Sequence, residues 1–363
     1  MNQYLDYIME QLEKLMAIDS PSGFTKKVTD YLLEEYARLG YSAKRTVKGG
    51  VIAEIGGEGD PILTMAHVDT LGAVVAEIKS NGRLRLSPVG GFNANNAEAH
   101  NCRVYTYDGQ IYEGTIQLAD ASLHVNKEYS TTQRTFQSVE VVLDEPVTSK
   151  DDVKALGITN GCFVCADPNL VVTNSGYIKS RFLDDKLSAA ILLGYAKYIR
   201  ENNITPLRKV YQHMTVFEEV GHGACASIPE DVTELLSVDM GCVGDGLECT
   251  ERQVSICAKD GHGPYNYQVT TGLVNAAKKD SIDYAVDIYP FYGSDADAAL
   301  SAGKDARHGL IGAGVYASHG YERSHKDGVV NTFRLLCSYL NGDAPKMDRS
   351  EERRVGKECR SRW

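Results

Sequence analysis

The sequence predicts an α/β fold that is interrupted by a small all-β domain. Helical and strand patterns alternate over residues 1–71 and again after residue 175. Between them, residues 72–175 contain short alternating apolar runs that are separated by Asn-Gly, Gly-Gly and Asp-Gly turns, without a long helical period. An α/β domain that the chain leaves once and then re-enters accounts for these three observations.

The same changes of pattern set the predicted domain boundaries. We assign residues 1–71 to the first part of the α/β domain, residues 72–175 to an inserted β-barrel-like domain, and residues 176–346 to the second part of the α/β domain. Residues 347–363 contain the highly charged run DRSEERRVGKECRSRW. We predict that this last segment is a non-native or disordered tail.

Two helices and two strands are predicted before the insertion. The first helix carries apolar residues at helical spacing: Leu5, Ile8, Met9, Leu12 and Leu15. The second helix, TKKVTDYLLEEYARLG, ends at Gly40 and is preceded by the turn SPSG. The segments GGVIAEIGG and PILTMAHVD then have the composition of strands.

The α/β pattern returns with DKLSAAILLGYAKYIREN, whose apolar residues form one face of a helix. The strand KVYQHMTVF, the helix-like segment ASIPEDVTELL and the strand SVDMG follow it. A further helix is predicted around residues 266–279. This order places acidic residues directly after several buried strands.

Composition and charge exclude several classes of function. The formal net charge is −11 with a pI near 5.4, whereas nucleic-acid binding needs a basic face, so we expect no nucleic-acid partner. The N-terminus has neither the basic nor the apolar region of a signal peptide, and no run approaches the ~20 apolar residues of a membrane span. We therefore expect a cytoplasmic protein that does not interact with a membrane.

Acidic and histidine side chains recur at the predicted strand ends. Taken singly, His67 is explained by core packing, and Asp184 by the first turn of a helix, where carboxylates are favourable. Glu218 and Glu219 are harder to explain, because two acids at the end of a buried strand need a cation, a proton or water to offset desolvation. With Asp239 and a second histidine, the set suits a pair of divalent ions that share one carboxylate.

The motifs AHVDT, FLDDK, FEEVGHGA, SVDMG and YERSH occur in that order. Together they resemble the glutamyl and deblocking aminopeptidase family of co-catalytic metallopeptidases, from about residue 5 to about residue 340. The resemblance implies a three-layer α/β/α catalytic domain of the zinc-peptidase type. It also implies that the inserted domain mediates dimerisation and that dimers assemble into a tetrahedral dodecamer.

The resemblance also implies roles for individual residues. The metal ligands would be His67, Asp184, Glu219, Asp239 and His325. Asp184 would bridge the two ions and would be followed by a cis peptide bond. Asp69 would hold the imidazole of His67, and Glu218 would be the general base. His319 is a rival ligand, but the YERSH motif favours His325; Lys186 stands where the family usually has Arg.

The implied function is a metal-dependent aminopeptidase that removes N-terminal residues from short peptides, using a metal-bridged hydroxide. Two divalent ions per chain are expected, with zinc or cobalt preferred and manganese also suited to the ligands. An alternative keeps the site but changes the substrate, because the same fold carries carboxypeptidases and hydrolases of small N-acyl or osmolyte-like amides. A non-enzymatic protein with a decayed site is a third reading, and the full ligand set argues against it.

Overall fold

The computed structural model describes residues 1–347, so the predicted tail lies outside the described residues except for its first position. The helices are α1 (Asn2–Met16), α2 (Lys26–Arg38), α3 (Ala94–Ala97), α4 (Lys150–Ala155), α5 (Leu183–Glu201), α6 (Tyr267–Lys279), α7 (Asp295–Ser301) and α8 (Lys326–Asn341). No helix in this part of the chain is both long and apolar enough to cross a membrane.

The strands fall into two groups. One group builds a large sheet: β1 (Ala43–Arg45), β2 (Val51–Gly56), β3 (Ile62–His67), β10 (Val171–Val172), β11 (Tyr177–Ser180), β12 (Val210–Thr215), β13 (Glu234–Val238), β14 (Gly241–Val243), β15 (Val254–Lys259), β16 (Tyr284–Ile288), β17 (Arg307–Tyr316) and β18 (Glu322–His325). The other group closes a barrel: β4 (Gly72–Ile78), β5 (Leu84–Val89), β6 (His100–Tyr105), β7 (Ile111–Leu118), β8 (Val139–Leu143) and β9 (Phe163–Ala166).

The centre of the sheet is parallel and buried. Strand β3 pairs in parallel with β12 on one side and with β13 on the other, and β13 pairs in parallel with β17. Every residue of β3, β12 and β13 is buried, as expected for a parallel sheet that is covered on both faces. Because these strands run in one direction, their carboxyl ends meet at one edge of the sheet.

Helices cover the two faces of this sheet. Alternate residues of β3 belong to different apolar clusters: Ile62 packs in the cluster that contains residues of α1 and α5, whereas Leu63 packs in the cluster that contains Ala296 and Ala299 of α7. Successive side chains of a strand point to opposite faces, so α5 and α7 lie on opposite sides of the sheet. The three-layer α/β/α prediction is confirmed.

The barrel follows β3 in the chain and has the strand order β4-β5-β8-β7-β6-β9. Its interior is filled by apolar residues at alternate strand positions, among them Val75, Leu84, Val104, Ile116, Val141 and Val164. Closure of the barrel leaves no free edge strand. The prediction of an inserted small all-β domain is confirmed.

One predicted helix is wrong. The segment ASIPEDVTELL forms turns up to Thr233 and then enters β13, which begins at Glu234. Pro229 provides no backbone N–H for a helix, and the following apolar residues pair with β3 and β17 instead. Tertiary pairing therefore decides the conformation of a segment whose local pattern is ambiguous.

Candidate metal centre

Acidic and histidine side chains converge at the carboxyl ends of the parallel strands. His67 is the last residue of β3, Asp239 follows the last residue of β13, and Glu218 and Glu219 follow β12 in a short 3-10 turn. Asp184 lies in the first turn of α5, and its peptide bond to Asp185 is cis. The edge at which an α/β sheet normally presents its functional groups therefore carries this cluster.

A first group consists of His67, Asp184 and Asp239, all buried, with one potential ligand atom of each lying within 4.8 Å of the others. The His67 Nε2 atom is 2.9 Å from Oδ1 of Asp184. The Oδ1 atom of Asp239 accepts a hydrogen bond of 2.6 Å from the backbone N–H of Met240, which fixes the orientation of that carboxylate. Imidazole nitrogen and carboxylate oxygen are the ligands that zinc and similar ions accept.

A second group shares Asp184 and adds Glu219 and His319, again with ligand atoms within 4.8 Å of one another. The His319 Nε2 atom lies 3.4 Å from Oδ2 of Asp184 and 3.6 Å from Oε2 of Glu219. Asp184 therefore presents Oδ1 to the first group and Oδ2 to the second. This is the arrangement that a carboxylate bridging two ions requires.

The structure does not bring His325 to either group, which corrects the predicted site set. The Nε2–H group of His325 donates to the backbone oxygen of Ser175 at 2.8 Å, and Nδ1 accepts from the backbone N–H of Asp327 at 3.0 Å. His325 thus caps the N-terminus of α8 and has no ring nitrogen left for a metal. His319, six residues earlier in the loop between β17 and β18, lies beside Asp184 instead.

Asp69 is in the site, but its carboxylate contacts a different group from the one predicted. The His67 Nδ1–H group donates to the backbone oxygen of Asp69 at 2.9 Å, whereas the Asp69 carboxylate is 3.7 Å from Nδ1. That carboxylate accepts hydrogen bonds from the backbone N–H groups of Glu218 at 3.2 Å and Glu219 at 3.4 Å, and from the Ser22 hydroxyl at 2.5 Å. Asp69 therefore fixes the tautomer of His67 through its backbone and the position of the two glutamates through its side chain.

Glu218 belongs to neither group of three, although it borders the first one. Its Oε2 atom lies 3.6 Å from Nε2 of His67, and its side chain is 16% exposed, against 3% for the side chain of Glu219. The preceding residue, Phe217, has a left-handed backbone (φ 70°), which turns the chain at the end of β12 so that both glutamates reach one edge. Both glutamates line the adjoining cavity, and Glu218 is the more exposed of the two.

Among the described residues, the carboxylates of this cluster have no Lys or Arg counter-ion. In residues 1–347, the ion pairs of Asp184, Glu218 and Glu219 involve only His67 and His319, and no Lys or Arg side chain joins them. Burial, reinforced by neighbouring acids, raises the pKa of Glu218 and of Glu219 well above the usual range of a glutamate. Within the described residues, Oε1 of Glu219 is buried without a hydrogen-bond partner. The donor set therefore fits divalent cations, which would supply the missing positive charge.

The barrel contributes to the second group through backbone packing. A Cβ atom on Gly91, just after β5, would lie 2.5 Å from Nδ1 of His319, and one on Gly90 would lie 2.9 Å from the backbone oxygen of Glu219. Asn96 of α3 donates from its side chain to the backbone oxygen of His319 at 3.2 Å. The position of His319 is therefore set jointly by the β17–β18 loop and by the inserted domain.

Two contributions were missed in the sequence. Oδ2 of Asp185 accepts a hydrogen bond from the backbone N–H of His67 at 3.2 Å, so the two adjacent aspartates have different contacts. The ammonium of Lys186 is buried and donates to the backbone oxygens of Leu15 and Ile18. The acidic pair at the start of an apolar helix is a sequence signal for the role of Asp185. No local pattern indicates the buried contacts of Lys186.

Comparison with known proteins identifies the family of the chain. The model of the M42 glutamyl aminopeptidase family matches residues 49–335. The chain belongs to the M42 glutamyl aminopeptidase family. It is therefore an aminopeptidase of a metallopeptidase family, as the resemblance of its motifs implied.

Among curated relatives of this M42 aminopeptidase, the protein YhfE of Bacillus subtilis, which bears an aminopeptidase name, is 44% identical over 334 residues. The alignment covers 92% of this chain and 96% of YhfE. The glutamyl aminopeptidase of Lactococcus lactis is 23% identical over 220 residues, which is 59% of this chain and 60% of that protein.

Solved structures share the fold of this M42 chain. A TET aminopeptidase from a marine sediment Thaumarchaeota archaeon superposes with a TM-score of 0.83 at 20% identity, covering 94% of this chain and 98% of the other. The TET1 peptidase of Pyrococcus horikoshii, which can assemble into a tetrahedron or a large octahedral shell, gives a TM-score of 0.79 at 23% identity, covering 91% and 98%.

Proposed function

We propose that this M42 aminopeptidase holds two divalent ions, one in each group of three residues, with Asp184 shared between them. His67 and Asp239 complete one site, and Glu219 and His319 complete the other. The support comes from the donor chemistry, from the absence of a Lys or Arg partner among the described residues, and from the buried oxygen of Glu219 that lacks a hydrogen bond. His319 replaces His325 in this ligand set because His325 uses both ring nitrogens elsewhere.

The bound ions would act as Lewis acids on water and on the scissile carbonyl. We propose that Oε2 of Glu218 accepts the proton of the attacking water and later donates it to the leaving amine. Its exposure to the cavity and its distance of 3.6 Å from His67 Nε2 support this role.

A cavity of about 340 Å³ lies against Asp184, Glu218 and Asp239. This volume is at the lower end of the range for small-molecule sites, so it accommodates the end of a peptide and not a folded protein. The acidic lining favours a free α-amine over a free carboxylate next to the reacting bond. We therefore propose short peptides with a free N-terminus as substrates.

The variant Glu218→Gln tests the proposed mechanism. We expect kcat to fall by about 100-fold to 10,000-fold, the range for loss of a general base, while each chain still binds two ions. The measurement combines turnover of aminoacyl-nitroanilides with the metal content after reconstitution with zinc, cobalt or manganese. Glu230→Gln, an exposed glutamate in the loop before β13, is the matched control.

Unchanged turnover in Glu218→Gln would contradict the assignment of the base. Hydrolysis of N-acetylated amino acids without hydrolysis of substrates that have a free amine would contradict the proposed substrate class and favour the amidohydrolase alternative.

We also propose that the protein is a homo-oligomer assembled through the inserted barrel. The likeness of its fold to TET peptidases supports this proposal. Light scattering of the purified protein should give a mass far above the 39.7 kDa of one chain, and a monomer would contradict the proposal.

A further inference from the structure

The cavity beside the metal centre is also lined by residues at the N-terminus of α7, and this part is called its far end. Asp297, in the first turn of α7, lines this far end. Phe291, Tyr292 and Ala298 also line the cavity and contribute apolar atoms to its wall. One cavity is therefore lined by the acids of the candidate metal centre and by a further carboxylate, that of Asp297.

One oxygen of the Asp297 carboxylate, Oδ1, accepts no hydrogen bond from a donor group of the described residues. The residue is 8% exposed. Its Oδ2 atom accepts hydrogen bonds from the Ser294 backbone N–H at 3.0 Å, the Ser294 hydroxyl at 3.1 Å and the Tyr265 hydroxyl at 3.1 Å, whereas Oδ1 accepts none from the described residues. The nearest basic atom to Oδ1 is Nε2 of His308, at 3.7 Å. Burial lowers the pKa of His308, so this ring is neutral at pH 7 and does not compensate the charge of Asp297.

A second carboxylate strengthens the negative potential at this end. Asp260 is fully buried, and one of its carboxylate oxygens lies within 4.8 Å of one of Asp297. None of the residues that line the cavity is Lys or Arg. A buried carboxylate without a cationic partner carries a large desolvation cost, which a ligand cation can offset.

We propose that this cavity receives the side chain of the substrate's N-terminal residue and selects a basic one, lysine or arginine, through Oδ1 of Asp297. The apolar wall packs along the methylene groups of such a side chain, and the carboxylate binds its charged end. This inference rests on the proposed aminopeptidase function, because it needs the α-amine and scissile bond to lie at the metal centre.

A metal ion is a poorer occupant of the far end. Asp260, His262 and Asp297 have ligand atoms within 4.8 Å of one another, but most of the carboxylate oxygens are already engaged. Oδ1 of Asp260 accepts from the backbone N–H of His262 at 2.8 Å, and its Oδ2 accepts from the Tyr265 hydroxyl at 2.7 Å. Only Oδ1 of Asp297 and the ring of His262 remain, whereas a stable ion site needs three or four protein ligands.

The test compares lysyl-p-nitroanilide with norleucyl-p-nitroanilide, whose side chain has similar length and no charge. We expect the wild-type enzyme to prefer lysine by about 10-fold to 100-fold in kcat/KM, the effect of a partly buried charge pair. Asp297→Asn should reduce this preference to about 3-fold or less while kcat/KM for norleucine stays within about 3-fold of wild type. Asparagine keeps an oxygen acceptor for Ser294, so the cap of α7 is retained.

Asp305→Asn, an exposed aspartate beyond the end of α7, is the matched control and should keep the preference for lysine. Equal wild-type rates for lysine and norleucine, or faster cleavage of a glutamyl substrate, would overturn the proposal without needing any variant. A third bound ion per chain that is lost in Asp297→Asn would also overturn it, in favour of a metal at the far end. Absence of turnover on every substrate with a free amine would instead contradict the proposed function itself.

The preference should also depend on pH. Burial and the neighbouring Asp260 raise the pKa of Asp297 to about 6. Above pH 6 the carboxylate is ionised and attracts the basic side chain; as the pH falls through 6 it is protonated and the ratio of the two kcat/KM values falls. The ring of His308, whose Nε2 atom lies 3.7 Å from Oδ1 of Asp297, would change the ratio in the same direction if it gained a proton, and the Tyr265 hydroxyl stays neutral. A ratio that is constant from pH 5 to pH 8 contradicts the role of Asp297.

Discussion

The barrel and the carboxyl edge of the sheet both bury acids, but they compensate the charge differently. On the barrel, buried Glu140 pairs with Lys79 at 2.6 Å and with Arg83 at 3.3 Å. At the sheet edge, Asp184, Glu219 and their neighbours are buried with two histidines and without any Lys or Arg among the described residues. Glu140 is therefore balanced within the chain, whereas we propose that cations from outside the chain balance the acids at the sheet edge.

Because of this difference, we expect the barrel interior to contribute to stability and the sheet edge to contribute to the reaction. The interior of the barrel is apolar and closed, so its residues contribute to the free energy of unfolding through burial. The acids at the sheet edge repel one another and therefore cost stability, and the proposed ions would offset that cost. Substitutions in the barrel interior should therefore change the free energy of unfolding, and substitutions at the sheet edge should change kcat/KM.

The largest expected effect comes from the two histidines of the β17–β18 region. His319→Ala should lower kcat/KM about 1,000-fold, equivalent to about 4 kcal/mol, because one ion site loses a ligand. His325→Ala should leave kcat/KM within about 3-fold and lower the free energy of unfolding by about 1 kcal/mol through loss of the α8 cap. Steady-state kinetics, metal content and urea unfolding of both variants provide the measurements.

His325→Asn is the control for that pair, since asparagine is also a favourable cap and should restore stability. If His325→Ala loses activity and one ion while His319→Ala retains both, the two histidines have been assigned in the wrong order.

A substitution inside the barrel should have a smaller effect, and it should lower stability and leave activity unchanged. Leu84 is fully buried on β5, and Leu84→Ala should lower the free energy of unfolding by about 3 kcal/mol through lost burial and a cavity. The folded fraction should keep its kcat/KM within about 2-fold, because the side chain is remote from the acids. Urea unfolding and kinetics on the same sample test this. Ile111→Ala, on an exposed position of β7, should change the stability by less than about 0.5 kcal/mol.

The smallest predicted effect is on metal affinity, and it tests the contact between Gly91 of the inserted domain and His319 at the sheet edge. Gly91→Ala would place a methyl group 2.5 Å from Nδ1 of His319, so the ring must move away from Asp184. We expect the affinity for one ion to fall about 10-fold to 100-fold, as when a supporting contact of a ligand is changed, with little change in the unfolding of the metal-free protein. Calorimetric titration with zinc measures the affinity. Gly244→Ala, where the added methyl group meets no atom within 4 Å, is the control and should not change the affinity for zinc. Equal affinities in the two variants would contradict a role of the barrel in positioning His319.

Much of the fold could be predicted from sequence periodicity. The change from helical to alternating patterns after residue 71 reflects the barrel, whose strands need one apolar face, and the continuous apolar runs reflect parallel strands that are buried on both faces. Acids at the ends of such runs indicated the site, because charge is costly there without a functional reason. These signals are local, so they can be recognised without the tertiary structure.

The remaining features depend on tertiary contacts. His319 and His325 are six residues apart, and the choice between them depends on a loop in which His319 has a left-handed backbone (φ 61°) and packs against Gly91 of another domain. Asp297 has the sequence context of an ordinary acid in the first turn of a helix, and only the cavity distinguishes it. No spacing rule along the chain contains this information.

The residues proposed to hold the ions are spread along most of the chain, from His67 to His319. Proteins are synthesised from the N-terminus, so both glutamates and Asp239 leave the ribosome well before the loop that carries His319. The second ion site is therefore incomplete until the last strands have been made. Under the proposed ligand set, a growing chain therefore lacks one of its metal ligands until the loop between β17 and β18 has been made.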